Sequence, residues 1–261
     1  MQLPIDIDKM LFEKLGAIYA PDHCKVKQTL PFKEKDIKFY LGSYFPRSFV
    51  ESHEIFNELL SFRPIKESFE QKNWIKILDI GSGTGGNILG LIRLCNSILP
   101  NRCLYIVSID GNEYALKYQR DIINDAGKSS SNHIHLNQYK QKFDSKLDFE
   151  RKITKMMDED KILNAIDKFD IIMSFKFINE FYTKPESYKI NQGFYYSFVN
   201  TMLNYLDDNG LLILLDLTDA NEGQKYLPMI INTEILPKMQ NSHLQGRIVL
   251  PHVYQLKRLW E

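Results

Sequence analysis

The residues best suited to chemistry form a glycine-rich stretch in the first third of the chain. Asp79 comes near the end of an apolar run, and Gly81, Gly83, Gly85 and Gly86 follow it closely. Glycines allow a bound molecule to approach the backbone, and a helix that starts near Gly86 offers unpaired N–H donors. The carboxylate of Asp79 would repel a pyrophosphate, but it suits a ligand that carries an ammonium and a sulfonium. The stretch therefore favours a site for S-adenosylmethionine.

A second carboxylate lies where a neighbouring strand is predicted to end. Asp110 follows the apolar run Cys103–Ile109, 25 residues after Gly85. At the carboxyl end of a parallel strand, such a side chain can accept hydrogen bonds from the two hydroxyls of a ribose. Gly111 and Asn112 would then turn the chain around the adenine. We therefore predict cofactor contacts from Asp110, Gly111 and Asn112.

The end of the fourth predicted strand supplies the remaining candidates. Ser174 and Phe175 close this apolar run, and we expect both to line the cofactor site. Asn179 and Glu180 follow. Glu180 is a candidate base towards an acceptor that loses a proton, and Asn179 is a candidate to fix an acceptor amine or hydroxyl. Structural roles stay open for both residues, Asn179 as a helix cap and Glu180 as a solvated side chain or a partner of an N-terminal segment.

The elements that must position these residues alternate along the chain between strands and helices. This order predicts an α/β fold with a doubly wound, mostly parallel sheet over residues 71–261. Residues 1–70 are predicted as a helical N-terminal extension, because apolar residues recur there at helical spacing. The predicted strands are Ile75–Ile80, Cys103–Ile109, His133–Asn137, Phe169–Phe175 and Leu211–Leu217, with a terminal pair at Gly246–Leu250 and His252–Leu256.

Helices are predicted between these strands. Asn112 is expected to cap one that runs to about Asp125, and Asn209-Gly210 is expected to stop another. The polar stretch Lys66–Asn73 is predicted as the entry into the first strand. The predicted helices are Lys9–Tyr19, Ile37–Tyr44, Ser48–Phe62, one that carries Ile88, Leu91, Ile92 and Cys95, the one capped by Asn112, a weak pattern within Lys140–Lys168, Phe194–Leu206 and Gln224–Met239.

The segment Leu78-Asp79-Ile80-Gly81-Ser82-Gly83-Thr84-Gly85 resembles the first motif of the class I S-adenosylmethionine-dependent methyltransferases. In that family the fold is Rossmann-like, and this loop holds the amino-acid part of the cofactor. The resemblance implies an enzyme that transfers a methyl group by direct in-line displacement. It also implies cofactor contacts from Asp79, Gly81, Ser82, Gly83, Thr84 and Gly85.

A further resemblance covers about residues 39–240. The segment that contains Ser174, Asn179 and Glu180 is similar to the Ser-x-x-x-x-Asn-Glu-Leu pattern of a family related to mitochondrial small-subunit ribosomal RNA methyltransferases. The helix Phe39–Ser48 also looks like that family's entry segment. That family commonly carries clustered cysteines for an iron–sulfur centre, whereas the three cysteines of this chain are dispersed.

The composition is that of an ordinary globular protein. Of the 261 residues 44% are hydrophobic and 25% are charged, with 33 basic and 33 acidic residues that give no global footprint for nucleic acid. No apolar run approaches the length of a membrane span, and no histidine, cysteine or acidic group has the spacing of metal ligands. An odd number of cysteines fits a reducing compartment, so we expect a cytoplasmic protein without a metal.

Two other functions compete with methyl transfer. One is a non-catalytic accessory subunit of the ribosome-assembly type that binds S-adenosylmethionine without turnover. The other is an NAD-dependent oxidoreductase, because Gly81, Gly83 and Gly86 also match the G-x-G-x-x-G spacing. The acceptor stays open between RNA, protein and a small molecule, and the sequence indicates no particular oligomeric state.

Overall fold

Five parallel strands form one sheet in the order β3-β2-β1-β4-β5 in the computed structural model. The structure describes residues 3–19, 33–182, 190–216 and 227–240. This is the doubly wound order in which the direction of strand succession reverses between β1 and β4, and ligands of such sheets bind outside the carboxyl ends of the strands. The predicted fold class is therefore confirmed. The strands are β1 Trp74–Ile80, β2 Cys103–Asp110, β3 His133–Lys140, β4 Phe169–Phe175 and β5 Leu206–Leu215.

Helices cover both faces of the sheet, as parallel strands require for burial of both faces. On one face α3, α4, α5 and α6 pack against the odd-numbered side chains of β1, and on the other α7, α8, α9 and α10 pack against the even-numbered ones. The helices are α1 Ile5–Lys9, α2 Glu34–Ser43, α3 Phe45–Ser61, α4 Arg63–Glu70, α5 Gly86–Ile98, α6 Glu113–Gly127, α7 Lys146–Glu159, α8 Lys161–Ile166, α9 Phe194–Met202 and α10 Leu227–Gln240; a π-helical turn spans Met10–Lys14, and 3-10 turns span Ile178–Tyr182 and Leu203–Tyr205.

Helices α3 and α5 pack so closely that their backbones are in contact. A Cβ added to Gly86 would lie 2.6 Å from the carbonyl oxygen of Phe45, and one added to Gly90 would lie 2.5 Å from that of Phe49. The hydroxyl of Ser52 also donates a hydrogen bond to a carbonyl oxygen of α5. The described part of the first 70 residues therefore shares its packing with the sheet domain. The division of the chain at residue 70 stays a prediction.

Several predicted boundaries were wrong. No helix was predicted between Phe62 and the first strand, but α4 follows Phe62 and ends only at Glu70, within the stretch Lys66–Asn73, and it buries Phe69 against the sheet. The predicted helix Phe194–Leu206 ends at Met202, and Asn209-Gly210 does not stop it but lies within β5. The pairing of β4 with β5 shifts register there, so the turn-forming pair occupies an irregularity in the strand.

The third strand and the N-terminal helices also differ from the prediction. Strand β3 continues to Lys140, three residues beyond its predicted end. The helix predicted over Lys9–Tyr19 begins earlier, at Ile5, and its π-helical part ends at Lys14. The terminal strands predicted after residue 245 lie outside the described residues, as does Leu217, the last residue of the fifth predicted strand.

Candidate functional site

The turn after β1 is built from left-handed glycines. Gly81, Gly83 and Gly85 have φ angles of 72°, 52° and 82°, a region that side chains with a Cβ rarely adopt. The N–H groups of Gly81 and Ser82 donate hydrogen bonds to the carbonyl oxygen of Ile109 at the end of β2, 2.9 and 3.2 Å away. The turn is thus bound to the neighbouring strand, and α5 begins immediately after it at Gly86.

Asp110, the last residue of β2, completes this arrangement. Its Oδ2 accepts a hydrogen bond from the N–H of Gly83 at 2.8 Å, and its Oδ1 accepts one from the N–H of Asn112 at 2.8 Å. Removal from water raises the pKa of Asp110, while the hydrogen bonds from Asn112, Gly83 and Gly111 oppose that rise. Asn112 in turn caps α6 as predicted, because its Oδ1 accepts hydrogen bonds from two N–H groups of the first helical turn.

Asp79 lies behind the turn and is fully buried. Both of its carboxylate oxygens accept from Nδ2 of Asn87, each at 2.9 Å. Burial raises the pKa of Asp79 well above its usual value, and the nearby charge of Asp110 raises it further. Among the described residues, no lysine or arginine pairs with either carboxylate. Two acidic groups therefore lie close together without a cation.

A cavity opens at the carboxyl ends of β1, β2 and β4, next to the glycine turn. Its volume is about 40 Å³, which exceeds the roughly 10–15 Å³ that one water molecule needs. The predicted site residues that line it are Gly81, Gly83, Asp110, Gly111, Asn112, Phe175 and Glu180.

The other predicted site residues do not line the cavity, and all of them are buried. Ser174, for example, donates its hydroxyl to the carbonyl oxygen of Ile80 at 3.0 Å, so it joins β4 to β1. Contacts between these residues and a cofactor stay predictions. They are Asp79, Ser82, Thr84, Gly85, Ser174 and Asn179.

Two aromatic side chains cover the glycine turn, and neither is among the predicted cofactor contacts. A Cβ added to Gly81 would lie 2.5 Å from Cβ of Phe177, and one added to Gly83 would lie 3.2 Å from the hydroxyl of Tyr40 in α2. Loss of hydration and the charge of Asp110 raise the pKa of Tyr40. These two side chains therefore occupy the space next to Gly81 and Gly83.

The two predicted catalytic residues occupy the 3-10 turn after β4 and have different surroundings. Glu180 lines the cavity. Asn179 is buried, and its backbone N–H donates to Oδ2 of Asp216 at 3.0 Å. The same carboxylate oxygen accepts from the hydroxyl of Tyr195 at 2.8 Å, so the turn is attached to the end of β5 and to α9. Glu180 therefore borders the cavity and Asn179 does not, and a catalytic role for either residue stays a prediction.

Lys176 is another residue at the cavity that sequence reasoning missed. It follows the last residue of β4, has a φ of 58°, and lines the cavity beside Phe177. Its ammonium forms an ion pair with Glu51 of α3. No motif in the sequence marks a lysine at this position, and the only available signal was its place directly after a strand that ends at the site.

Comparison with known proteins gives a likeness of fold only. No protein-family profile matches the sequence, and no curated protein matches it. The chain is similar to a solved S-adenosylmethionine-dependent methyltransferase from Aquifex aeolicus, with 15% identity, a TM-score of 0.42, and coverage of 84% of this chain and 92% of that one.

Two further solved structures show the same low similarity. One is an S-adenosylmethionine-dependent methyltransferase from Clostridium acetobutylicum, with 15% identity, a TM-score of 0.36, and coverage of 60% of this chain and 49% of that one. The other is a methyltransferase from Thiobacillus denitrificans in complex with S-adenosylhomocysteine, with 10% identity, a TM-score of 0.33, and coverage of 82% and 56%. The chain thus spans about half the length of these two proteins. The similarity to the mitochondrial ribosomal RNA methyltransferase-like family stays a hypothesis.

Proposed function

We propose that the chain binds S-adenosylmethionine at the carboxyl ends of β1 and β2 and transfers its methyl group to an acceptor. One observation carries the proposal. Asp79 and Asp110 lie next to a turn of left-handed glycines, their pKa values are raised, and the described residues give neither a basic partner. A ligand that brings a positive charge to this place would relieve the cost of both carboxylates.

The same charges argue against the competing nucleotide. The pyrophosphate of NAD would bring negative charge to a turn that already has Asp79 behind it, and the two would repel each other. The ribose is common to both ligands, so Asp110 does not discriminate between them. A carboxylate has about four acceptor positions, and three backbone N–H groups already bind Asp110, which leaves about one for a ribose hydroxyl.

We assign Glu180 as the base that takes a proton from the methyl acceptor. Bound S-adenosylmethionine would supply an activated methyl group, which passes in line to the acceptor as the carbon–sulfur bond breaks towards sulfur. The contribution of the chain is alignment, because a fixed nucleophile and methyl group need no covalent help from the protein. Where the acceptor is an N–H or O–H group, the Glu180 carboxylate takes the proton that the nucleophile loses.

Calorimetry on the purified full chain tests the binding step. We expect S-adenosylmethionine and S-adenosylhomocysteine to bind and NAD to bind at least about tenfold more weakly, which corresponds to about 1.4 kcal/mol. A preference for NAD would end the proposal.

Radiolabelled methyl transfer into fractionated cell extract then tests turnover and shows whether the product is RNA, protein or a small molecule. Cofactor binding without turnover on any fraction would support the accessory-subunit alternative instead. No helix among the described residues has the length and apolar character that crossing a membrane requires. A cytoplasmic location stays a prediction.

A further inference from the structure

Lys176 has a backbone conformation that is unusual for its residue type. Among the described residues, three that are not glycine have positive φ: Asn101, Asp167 and Lys176. Asparagine and aspartate enter this region more readily than other side chains, because their short polar groups can bond to the local backbone. A lysine lacks that compensation. Such strain persists only where the surrounding structure enforces it, and it concentrates at functional sites.

The surrounding structure holds Lys176 through its backbone and through its side chain. Its backbone N–H donates to the carbonyl oxygen of Leu215 in β5 at 2.7 Å. Its ammonium pairs with Glu51, and its side chain is only 14% exposed, against 31% for Glu51. Burial lowers the pKa of Lys176, the charge of Glu51 opposes this, and Arg47 and Asp216 add smaller effects of opposite sign.

The position of Lys176 sets it apart from the other basic residue at the cavity. Lys142 also lines the cavity, but its side chain is 58% exposed and pairs with Asp144. Lys176 instead lies directly after β4, one residue before Phe177, and lines the same cavity as Glu180. An acceptor bound in this cavity would therefore be lined by both Glu180 and Lys176, whose side chain is largely buried.

We propose that Lys176 positions the acceptor by an ion pair with an anionic group, a carboxylate or a phosphate, that takes the place of Glu51. The inference rests on the proposed function and adds the substrate class, namely an acceptor that bears a negative charge close to its methylated atom. Glu51 shows that a carboxylate fits against the ammonium. Glu51 is the more exposed partner of the ion pair, so its side chain can turn towards water. The backbone of Lys176 is instead held by its hydrogen bond to β5.

Binding of simple anions to the full chain, saturated with S-adenosylhomocysteine, tests this role directly. Acetate and inorganic phosphate are titrated separately while NMR follows the side-chain signal of Lys176, assigned from Lys176→Met. We expect a saturable shift with at least one of the two anions, and the stronger binder indicates which anionic group the acceptor carries. Glu51→Gln removes the competing carboxylate, so it should bind the same anion about fivefold more tightly or better.

A matched variant separates this role from the general loss of an ion pair. Lys72 is also largely buried and pairs with Asp170 and Asp207, but it lies at the amino ends of the strands, before β1. Lys72→Met should lose stability and keep anion binding and methyl transfer. Lys176→Met should lower methyl transfer into the labelled fraction at least about tenfold, the loss expected for a charge-assisted hydrogen bond. Its affinity for S-adenosylhomocysteine should stay within about twofold of wild type.

The outcomes separate the two proposals. If wild type does not bind S-adenosylhomocysteine, the proposed function fails and the role of Lys176 fails with it. If wild type binds it, two results overturn the role of Lys176 alone. One is that acetate and phosphate leave the Lys176 signal unchanged in both wild type and Glu51→Gln. The other is that Lys176→Met transfers methyl groups at the wild-type rate.

Discussion

The carboxylate of Asp110 accepts a hydrogen bond from the backbone N–H of Gly83 across 2.8 Å. A side chain from the end of β2 therefore holds the shape of the turn that follows β1. Because the N–H group of Asn112 donates to the other oxygen of the same carboxylate, one residue orders both the glycine turn and the start of α6. Asp110 has a structural task in addition to any contact with a ribose.

We expect Asp110→Asn to weaken S-adenosylhomocysteine binding by about 1.5–3 kcal/mol, the usual value of one hydrogen bond to a charged group. The new amide must point its NH₂ at the N–H of either Gly83 or Asn112, so one of these two backbone hydrogen bonds is lost. Calorimetry measures the affinity, and Asp121→Asn on the exposed surface of α6 is the matched control. Wild-type affinity in Asp110→Asn would refute the assignment of Asp110 to the cofactor site.

The raised pKa values of Asp79 and Asp110 predict how binding depends on pH. Below these pKa values both groups are protonated, and a cationic ligand must displace their protons before it gains from their charge. The affinity for S-adenosylmethionine relative to S-adenosylhomocysteine should therefore rise as the pH increases above about 4, the usual pKa of an aspartate, and level off once both groups are ionised. The ratio isolates the sulfonium, because the two ligands share all other ionisable groups. A flat ratio would show that the carboxylates do not interact with the sulfonium.

Asp79→Asn should stabilise the unliganded protein. An aspartate whose folded-state pKa is raised contributes most to stability below its unfolded pKa, and that contribution is lost as the pH rises through the folded pKa. At pH 7 the variant avoids the cost of burying this acidic group and still offers an oxygen to Asn87, so we expect Tm to rise by about 2–4 °C, equivalent to ~1 kcal/mol. Thermal unfolding at pH 7 and pH 4 measures this, and the gain should shrink at the lower pH. A lower Tm at pH 7 would contradict the prediction.

Gly90→Ala should destabilise the fold by about 1–3 kcal/mol, the usual cost of an overpacked contact. The added methyl would lie 2.5 Å from the carbonyl oxygen of Phe49, and backbone cannot move aside as a flexible side chain can. Gly127→Ala is the control, because a methyl there meets only Ile134 at 3.9 Å. Denaturant unfolding measures the free energy of unfolding of both variants. For the control we expect stabilisation of between zero and about 1 kcal/mol. Equal stability of the two variants would show that α3 can shift away from α5 to accommodate the methyl group.

Glu180→Gln should lower turnover by about 10²–10⁴-fold if Glu180 takes the acceptor's proton, and it should change S-adenosylhomocysteine affinity little. Single-turnover transfer of a labelled methyl group into the responsive fraction measures the first effect, and calorimetry measures the second. Glu159→Gln, which alters an exposed pair with Lys155 on α7, is the matched control. Turnover equal to wild type would remove Glu180 from the mechanism.

The parts of the site that the sequence predicted are those encoded by local patterns. The limits of β1, β2 and β4 were close to correct, because each strand is an apolar run bounded by polar residues or by the start of a turn. The glycine turn was predictable since four glycines in six residues are costly without a positive φ or a close approach to justify them. The cap by Asn112 followed from the residue type and its position before a helical pattern.

The missed parts depend on contacts between distant segments. Tyr40 reaches the glycine turn from α2, and Lys176 is held by Glu51 from a helix more than a hundred residues earlier. No periodic pattern within either segment predicts a contact of this kind. The error at Asn209-Gly210 has the same origin, because the pairing of β5 with β4 begins at Leu206 and absorbs the turn as a register shift.

The backbone contact between α3 and α5 also bears on the order in which the molecule folds. The hydrogen bond from Ser52 to Asn87 closes a segment of 35 residues, whereas the bond from the N–H of Lys76 to Asp170, between β1 and β4, spans 94. Short closures cost less chain entropy and form sooner. We therefore expect the half of the site made by α3, β1 and α5 to assemble early as a platform. The half that contains Lys176 would then dock onto it late, so the proposed acceptor pocket would be among the last features of the protein to form.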